Sequence, residues 1–474
     1  MFTRIEQYLV GALQGLRLPG LAIAIVQGER VIYLSGFGKA DLTGRPITPQ
    51  TPFIIGSLSK SFTALAIMQL VEAGRIELDA PVQRYLPWFR IQDGTASSQM
   101  TVRHLLTHTS GISRYVGRQL LAAKGAKTKE QRVRELSRVS LTKPVGTAYQ
   151  YSNTNYLILG LLIEAASSQP YESYIQQHIF TPLQMNHSFT SEGEARRDGI
   201  AVGYRWWFGF PLPASVPYLA DALPAAFLIS SAEDMAHYLI AHLNGGRYSG
   251  VSLLSPAGIA ELHRPQAEIT AGNAYAMGWH VESHDGVTLL RHGGETANWR
   301  GEMVLLPERQ IGIVLLANAN NGLVAQLGLD RIAPGVVRLL LREQPPKNRL
   351  TFKLFYAALD VVLFVPPVLQ VRSLRRLAQR SYREVRLKRR QWITQMALCL
   401  TELVLPMSLY KRIPKWADAP WPLLRLYVPD LTSWLSGMLA LSFVTSITRG
   451  MRLVLWFAGR RRQYRKRKIH HPFF

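Results

Sequence analysis

The chain has 474 residues, with 55 Lys and Arg against 31 Asp and Glu and a net charge of +24, too long for one small domain and read as a large domain plus a second part. The charge is lopsided: from Lys347 onward 25 basic residues face 5 acidic ones, whereas the first 346 residues hold 30 against 26, so the basicity belongs to the last quarter. The single cysteine, Cys399, also lies there, which excludes disulfides, thiolate metal sites and a cysteine nucleophile from the first part.

In chain order, the segment 1–18 (MFTRIEQYLVGALQGLRL) reads as a surface helix entering a strand. It is a poor export signal, because its apolar run is short, is interrupted by Gln14 and lacks a small-x-small cleavage site. Export of the first domain is therefore expected to use an upstream leader or another route. LAIAIVQGERVIYLSGFG then gives a hairpin turning at Gln27-Gly28-Glu29. Mostly helical patterns follow to about Asn244, and strands return in AMGWHVES, GVTLLRHGG and GEMVLLPERQIGIVLLANA. Strands at both ends with helices between them predict an α+β domain over 1–342: one antiparallel sheet built from the two ends, with an inserted all-helical subdomain.

REQPPKNR breaks the pattern and opens a linker over 343–353. The region 354–474 carries three apolar segments, 354–371, 391–410 and 431–448, each of a length that spans a hydrocarbon core. Asp360, the Pro366-Pro367 pair and Glu402 interrupt them; the acids read either as functional-site candidates or as residues that lie near interfaces or pair across helices. Between the first two segments, RSLRRLAQRSYREVRLKRR holds nine basic residues and one acid, and the tail GRRRQYRKRK is similar. Both blocks fall on one side of the membrane, the cytoplasmic side by the positive-inside rule, which puts the first domain outside and the C-terminus in the cytoplasm. The expectation is a multi-pass cell-membrane protein whose basic blocks meet anionic lipid. No nucleic-acid partner is expected, since no recognition module accompanies the charge.

The chemistry-bearing segments lie in the first domain. GSLSKSFTALAIMQLVEAG puts Ser57 at a helix start, with Gly56 allowing close approach and Lys60 one turn on, on the same face. A hydroxyl there has an amine within reach and backbone N–H groups for a developing oxyanion. An isolated Ser-x-x-Lys also fits a helix cap with a solvated lysine, and Ser408-Leu409-Tyr410-Lys411 is such a case. Two further segments separate the readings: Tyr151-Ser152-Asn153 directly before an apolar helix, and His292-Gly293-Gly294 at a strand end. His104 and His108 have the i, i+4 spacing of helix-borne metal ligands, but no Glu follows His104, and no metal site is expected. GYRWWFGF, residues 203–210, is an aromatic cluster that reads as a lid, a substrate lip, a bilayer contact or core packing.

These three segments, in this order and spacing, resemble the serine β-lactamase/penicillin-binding superfamily, in particular its class C-like branch of esterases and D-amino-acid peptidases. TVRHLLTHTSGI, IFTPLQMNHS, SSAEDMAHYLIAHLNGG and YAMGWH agree with it, and the resemblance covers about residues 5–335. It implies a β-lactamase/transpeptidase-like fold and a serine hydrolase without metal or organic cofactor. Ser57 would be the acylated nucleophile, with Lys60 and Tyr151 sharing the proton work. A neighbouring ammonium would lower the Tyr151 pKa. Asn153 would bond Lys60 or the substrate amide, and the backbone N–H groups of Ser57 and Glu295 would form the oxyanion hole beside Gly294. The implied substrate is a small-molecule or peptide ester or amide, including cell-wall peptides; a non-catalytic penicillin-recognising or regulatory membrane protein is the alternative. Many members have Lys-Thr-Gly where this chain has His292-Gly293-Gly294. A mostly neutral histidine disfavours β-lactams and D-alanyl termini and favours esters or small amides. Arg300 is a candidate for the missing charge, and Phe227 for narrowing the site.

Overall fold

A computed structural model of the chain describes residues 1–122, 127–284, 286–345, 352–379 and 389–469. Parts of the expected linker, of the basic loop after the first apolar segment and of the tail (346–351, 380–388 and 470–474) lie outside the described residues. The chain divides into two compact units, Met1–Phe352 and Lys353–Phe474.

The first unit is built on one antiparallel sheet. Its strands among the described residues are β1 (Gly20–Gln27), β2 (Arg30–Gly38), β3 (Ala267–Thr270), β4 (Asn273–Tyr275), β5 (His280–His284), β6 (Val287–Glu295), β7 (Arg300–Leu306) and β8 (Ile311–Ala317). The spatial order is β2-β1-β8-β7-β6-β5-β4-β3. The two ends of the domain meet where Leu21 of β1 faces Ala317 of β8. This is the α+β arrangement that the alternation of strand and helix patterns implies.

β1 reads GLAIAIVQ because both its faces are covered. Ala22, Ala24 and Val26 belong to the main core, while Leu21, Ile23 and Ile25 are buried on the opposite side. On the first face lies α4 (Ala232–Leu243), packed on β1 and β8 and capped by the Ser231 side chain, which accepts from Asp234 N at 3.1 Å. α1 (Phe2–Leu16), with its buried stripe Ile5, Leu9 and Leu16, packs against α5 (Ile332–Leu340), which covers β7 and β8. Between β2 and β3 the chain supplies the helical region. Its two central members, α2 (Ser59–Glu72) and α3 (Asn153–Ser167), are apolar nearly all round and pack on each other in the core.

The second unit contains α6 (Phe352–Gln379), α7 (Arg389–Trp416), the short α8 (Trp421–Tyr427) and α9 (Pro429–Ile469). Three stretches, Phe352–Arg376, Ile393–Trp416 and Pro429–Leu455, are long and apolar enough to cross a membrane. Pro366 and Pro367, which interrupt the apolar pattern of the sequence, lie inside the continuous α6. Pro367 has no N–H for the carbonyl of Leu363, and the indole N–H of Trp434 on α9 bonds that carbonyl instead. Glu402 pairs across helices: Arg449 of α9 binds both its carboxylate oxygens, at 3.0 and 3.2 Å, donates to Ser373 Oγ on α6 at 2.6 Å and contacts Gln395 on α7. One guanidinium thus ties three helices together. Arg449→Leu leaves the Glu402 charge buried and alone, and is expected to destabilise this unit by about 3–5 kcal/mol. Arg449→Leu/Glu402→Leu should recover most of the loss, as read by thermal unfolding of the full chain in detergent.

Candidate active site

The site forms where α2, the segment before α3, and β6 converge. Gly56 opens a single 3-10 turn, Gly56–Leu58, that runs straight into α2. Its φ of +58° is left-handed, and a methyl group there would fall 2.3 Å from the backbone nitrogen of Glu295. Gly294 is equally constrained, since a methyl group on it would lie 2.0 Å from the carbonyl oxygen of Ile55. The backbone that carries Ser57 therefore rests directly on the end of β6. Both glycines are there for that contact.

Lys60 projects from α2 into a fully buried position. Its Nζ has three oxygen neighbours: Ser57 Oγ at 3.1 Å, Asn153 Oδ1 at 2.8 Å and the carbonyl of Ala225 at 2.7 Å. The Tyr151 hydroxyl lies close enough to the Ser57 side chain for that side chain to lower its pKa, and the Lys60 ammonium position lies 4.8 Å from the Tyr151 ring centre. Burial holds the Lys60 pKa well below the usual lysine range; the Glu295 carboxylate opposes this and Arg114 reinforces it. Ser57, Lys60 and Asn153 are thus in one hydrogen-bonded group with Tyr151 beside it, and Gly294 and Glu295 lie against the turn that carries Ser57. The Ala225 carbonyl was not expected; a backbone acceptor has no sequence signature.

Tyr151 departs from the expectation of a lowered pKa. Complete burial raises it well above 10, outweighing the nearby Ser57 side chain, which lowers it. The phenol stays protonated.

His292 sits behind this group, buried. Its Nδ1 faces the carbonyl of Gly293 at 2.8 Å, so Nδ1 carries the hydrogen and Nε2 accepts from the Tyr275 hydroxyl at 3.1 Å. Burial, with His280 and Lys60 nearby, pushes its pKa well below 6.5, and His280 beside it falls to about 4 through burial. His292 supplies no cation. Arg300 does not replace one either: it is held by Glu295 at 2.8 Å and Asp330 at 2.6 Å.

The other candidates fall outside the chemistry. His104 closes a capping box with Thr101, and His108 accepts through Nδ1 from the Ser152 backbone N–H at 3.2 Å and from the Asn155 amide at 3.0 Å. No group of three or more His, Cys, Asp or Glu suited to a metal occurs among the described residues. Phe227 is buried and packs edge-on against Tyr218. In GYRWWFGF, Trp206 is core, its indole donating to the Leu16 carbonyl, while Phe210 at the tip of the hairpin is exposed beneath Arg17.

On the flank of β6, Glu302 is buried with Arg291 at 3.4 Å, and burial lifts its pKa from 4.5 to about 7. Between these values the folded chain holds a proton that the unfolded chain has lost, so this group's contribution falls as pH rises from about 4.5 to 7. Glu302→Gln should therefore stabilise the domain above pH 7 by about 3 kcal/mol and give no gain at pH 4, as read from melting temperatures across pH.

A model of the family described as Beta-lactamase matches residues 5–334. The chain belongs to the beta-lactamase family. Within the serine β-lactamase/penicillin-binding superfamily, the chain is 29% identical over 331 residues to Protein flp of Staphylococcus aureus strain MW2, across 68% of this chain. It spans 64% of the length of that relative. It is also 29% identical over 311 residues to Penicillin-binding protein 4 of Amycolatopsis lactamdurans, covering 64% of this chain and 81% of that protein. Among solved structures, the octameric penicillin-binding protein homologue from Pyrococcus abyssi superposes with a TM-score of 0.64 at 31% identity, over 73% of this chain and 79% of the other. EstCE1, a hydrolase with promiscuous acyltransferase activity, shares the fold with a TM-score of 0.59 at 23% identity, over 67% and 93% of the two chains. Beta-lactamase-family folds of this kind mostly carry serine hydrolases, and here the family match ends before the apolar helices begin.

Proposed function

We propose that the chain is a membrane-anchored serine hydrolase that forms an acyl-enzyme on Ser57 with an ester or amide substrate. The observation that carries this reading is the saturation of Lys60. Two of its three neighbours, Asn153 Oδ1 and the Ala225 carbonyl, only accept hydrogen bonds. A neutral amine gives them its two N–H groups and keeps its lone pair for the Ser57 hydroxyl. Lys60 is then the base, and burial keeps it in that form. Ser57 Oγ attacks the carbonyl carbon as its proton passes to Lys60, and the oxyanion is received by the backbone N–H groups of Ser57 and Glu295. Tyr151, held as a phenol, hands a proton to the leaving atom, and the proton on Lys60 replaces it. Water then attacks the acyl-enzyme, and Ser57 departs with its hydroxyl restored.

The helices after residue 352 support membrane attachment. The basic blocks support an orientation with the C-terminus in the cytoplasm and the catalytic unit outside, so a reporter fused after Phe474 should be active only in the cytoplasm.

To test the chemistry, the full chain in detergent is treated with a fluorescent fluorophosphonate and a fluorescent penicillin and assayed on short-chain esters. The expected result is fluorophosphonate labelling on the peptide that contains Ser57, with ester turnover. Failure of both probes and of every ester overturns the enzyme reading and leaves a binding or regulatory protein.

A further inference from the structure

The charges around Ser57 are nearly all cancelled. His108 and His292 are buried, His280 is half-buried, and all three are held neutral. Arg300 is shared by Glu295 and Asp330, and Arg291 by Glu282 and Glu302. Arg114 is different. It is exposed and has no carboxylate partner among the described residues.

Its place is fixed by packing. Arg114 begins the helix Arg114–Ala122. The carbonyl of the residue before it, Ser113, accepts from Ser152 Oγ at 3.2 Å. One turn on, a methyl group at Gly117 would fall 2.7 Å from the Asn153 nitrogen and 3.0 Å from Ser152 Oγ. The helix start is therefore clamped onto Tyr151-Ser152-Asn153, the wall of the site formed by that segment rather than by β6. Arg114 is close enough for its charge to lower the pKa of Lys60, Tyr149 and Tyr151. A solvated surface arginine is commonplace, but one whose field reaches the reacting group, with every neighbouring cation neutralised or paired, defines an electrostatic polarity for the site.

Resting on the Ser57 acyl-enzyme reading, we propose that Arg114 is a specificity-determining residue that receives a carboxylate on the substrate, from the Tyr151–Asn153 side of the scissile bond. A single guanidinium fork matches a carboxylate in two parallel hydrogen bonds. The site thus regains, from a different element, the positive charge that His292 does not supply. The carboxylate belongs to either the acyl or the leaving part of the substrate, and the test has an arm for each.

In the acyl arm, mono-p-nitrophenyl glutarate is compared with its methyl ester. In the leaving-group arm, 4-acetoxybenzoate is compared with its methyl ester. For each pair the ratio of kcat/KM, anionic over neutral, is measured with full-length wild type, Arg114→Gln and Arg114→Lys in detergent. The ratio is expected to fall about tenfold in Arg114→Gln in one arm and to be largely retained in Arg114→Lys. In wild type it should shrink with added salt. Equal slowing of both members of a pair in Arg114→Gln would mean that Arg114 acts only on Lys60, and would overturn the proposal, as would an unchanged ratio in both arms. If wild type hydrolyses none of the four esters and Ser57 takes no fluorophosphonate, the acyl-enzyme reading itself has failed and this inference falls with it.

Discussion

Ser57→Ala is expected to abolish fluorophosphonate labelling and to lower kcat/KM for any ester by about 10⁶-fold, the scale on which serine hydrolases lose activity when the nucleophile is removed. The variant should fold. Ser57 is partly exposed at the mouth of the site, and the close contact of Gly56 and Gly294 with their neighbours does not involve its side chain. The Ser59 hydroxyl, bonded to the Gly56 carbonyl at 2.7 Å and accepting from Leu228 N at 3.2 Å, holds the turn independently. An unchanged melting temperature with silent chemistry is therefore the expected pair of results. Labelling that persists in Ser57→Ala places the nucleophile elsewhere.

Lys60→Met tests the base. It is expected to lower kcat/KM by about 10²–10⁴-fold, the usual contribution of a positioned base. The pH profile carries the sharper information. In the proposed mechanism ester hydrolysis requires the neutral amine, so activity is expected to fall as pH drops through the Lys60 pKa. Burial has moved that pKa well below the ordinary 10.5, so the acid limb lies well below the pH at which an exposed lysine would titrate. Residual turnover in Lys60→Met should lack this limb. An acid limb that survives the substitution assigns the titration to another group. Tyr151→Phe provides a contrast: its phenol does not ionise in the working range, so it should lower the plateau without moving the limb.

What was legible in the sequence was mostly local. Ser57 and Lys60 are one helical turn apart, so their pairing follows from helix geometry, and the turn into α2 is announced by Gly56. The sheet built from both ends was legible because β1 and β8 are apolar strands at opposite ends of a domain with helices between. The long-range partners were not legible. The Ala225 carbonyl reaches Lys60 because a five-residue π turn, Leu223–Phe227, presents it, and no residue type marks that. Arg300 looked like a spare cation because its captors, Glu295 and Asp330, come from a strand end and from the segment before α5. How the chain tolerates Pro366-Pro367 was not legible, because the residue that takes up the freed carbonyl, Trp434, lies on another helix. Arg114 drew no notice because its meaning depends on which neighbours are already neutral.

The pairing of Leu21 with Ala317 orders events during synthesis. A strand made near the beginning waits, without its central partner, until almost the whole catalytic unit has been translated. The serine turn likewise waits for β6 before its backbone has anything to rest on. Contacts this distant along the chain form late and slowly. The pairing that closes the sheet thus becomes available only near the end of the unit's own translation, shortly before the first apolar helix follows from Phe352. A circular permutant that joins β8 directly to β1 should remove that delay and fold faster.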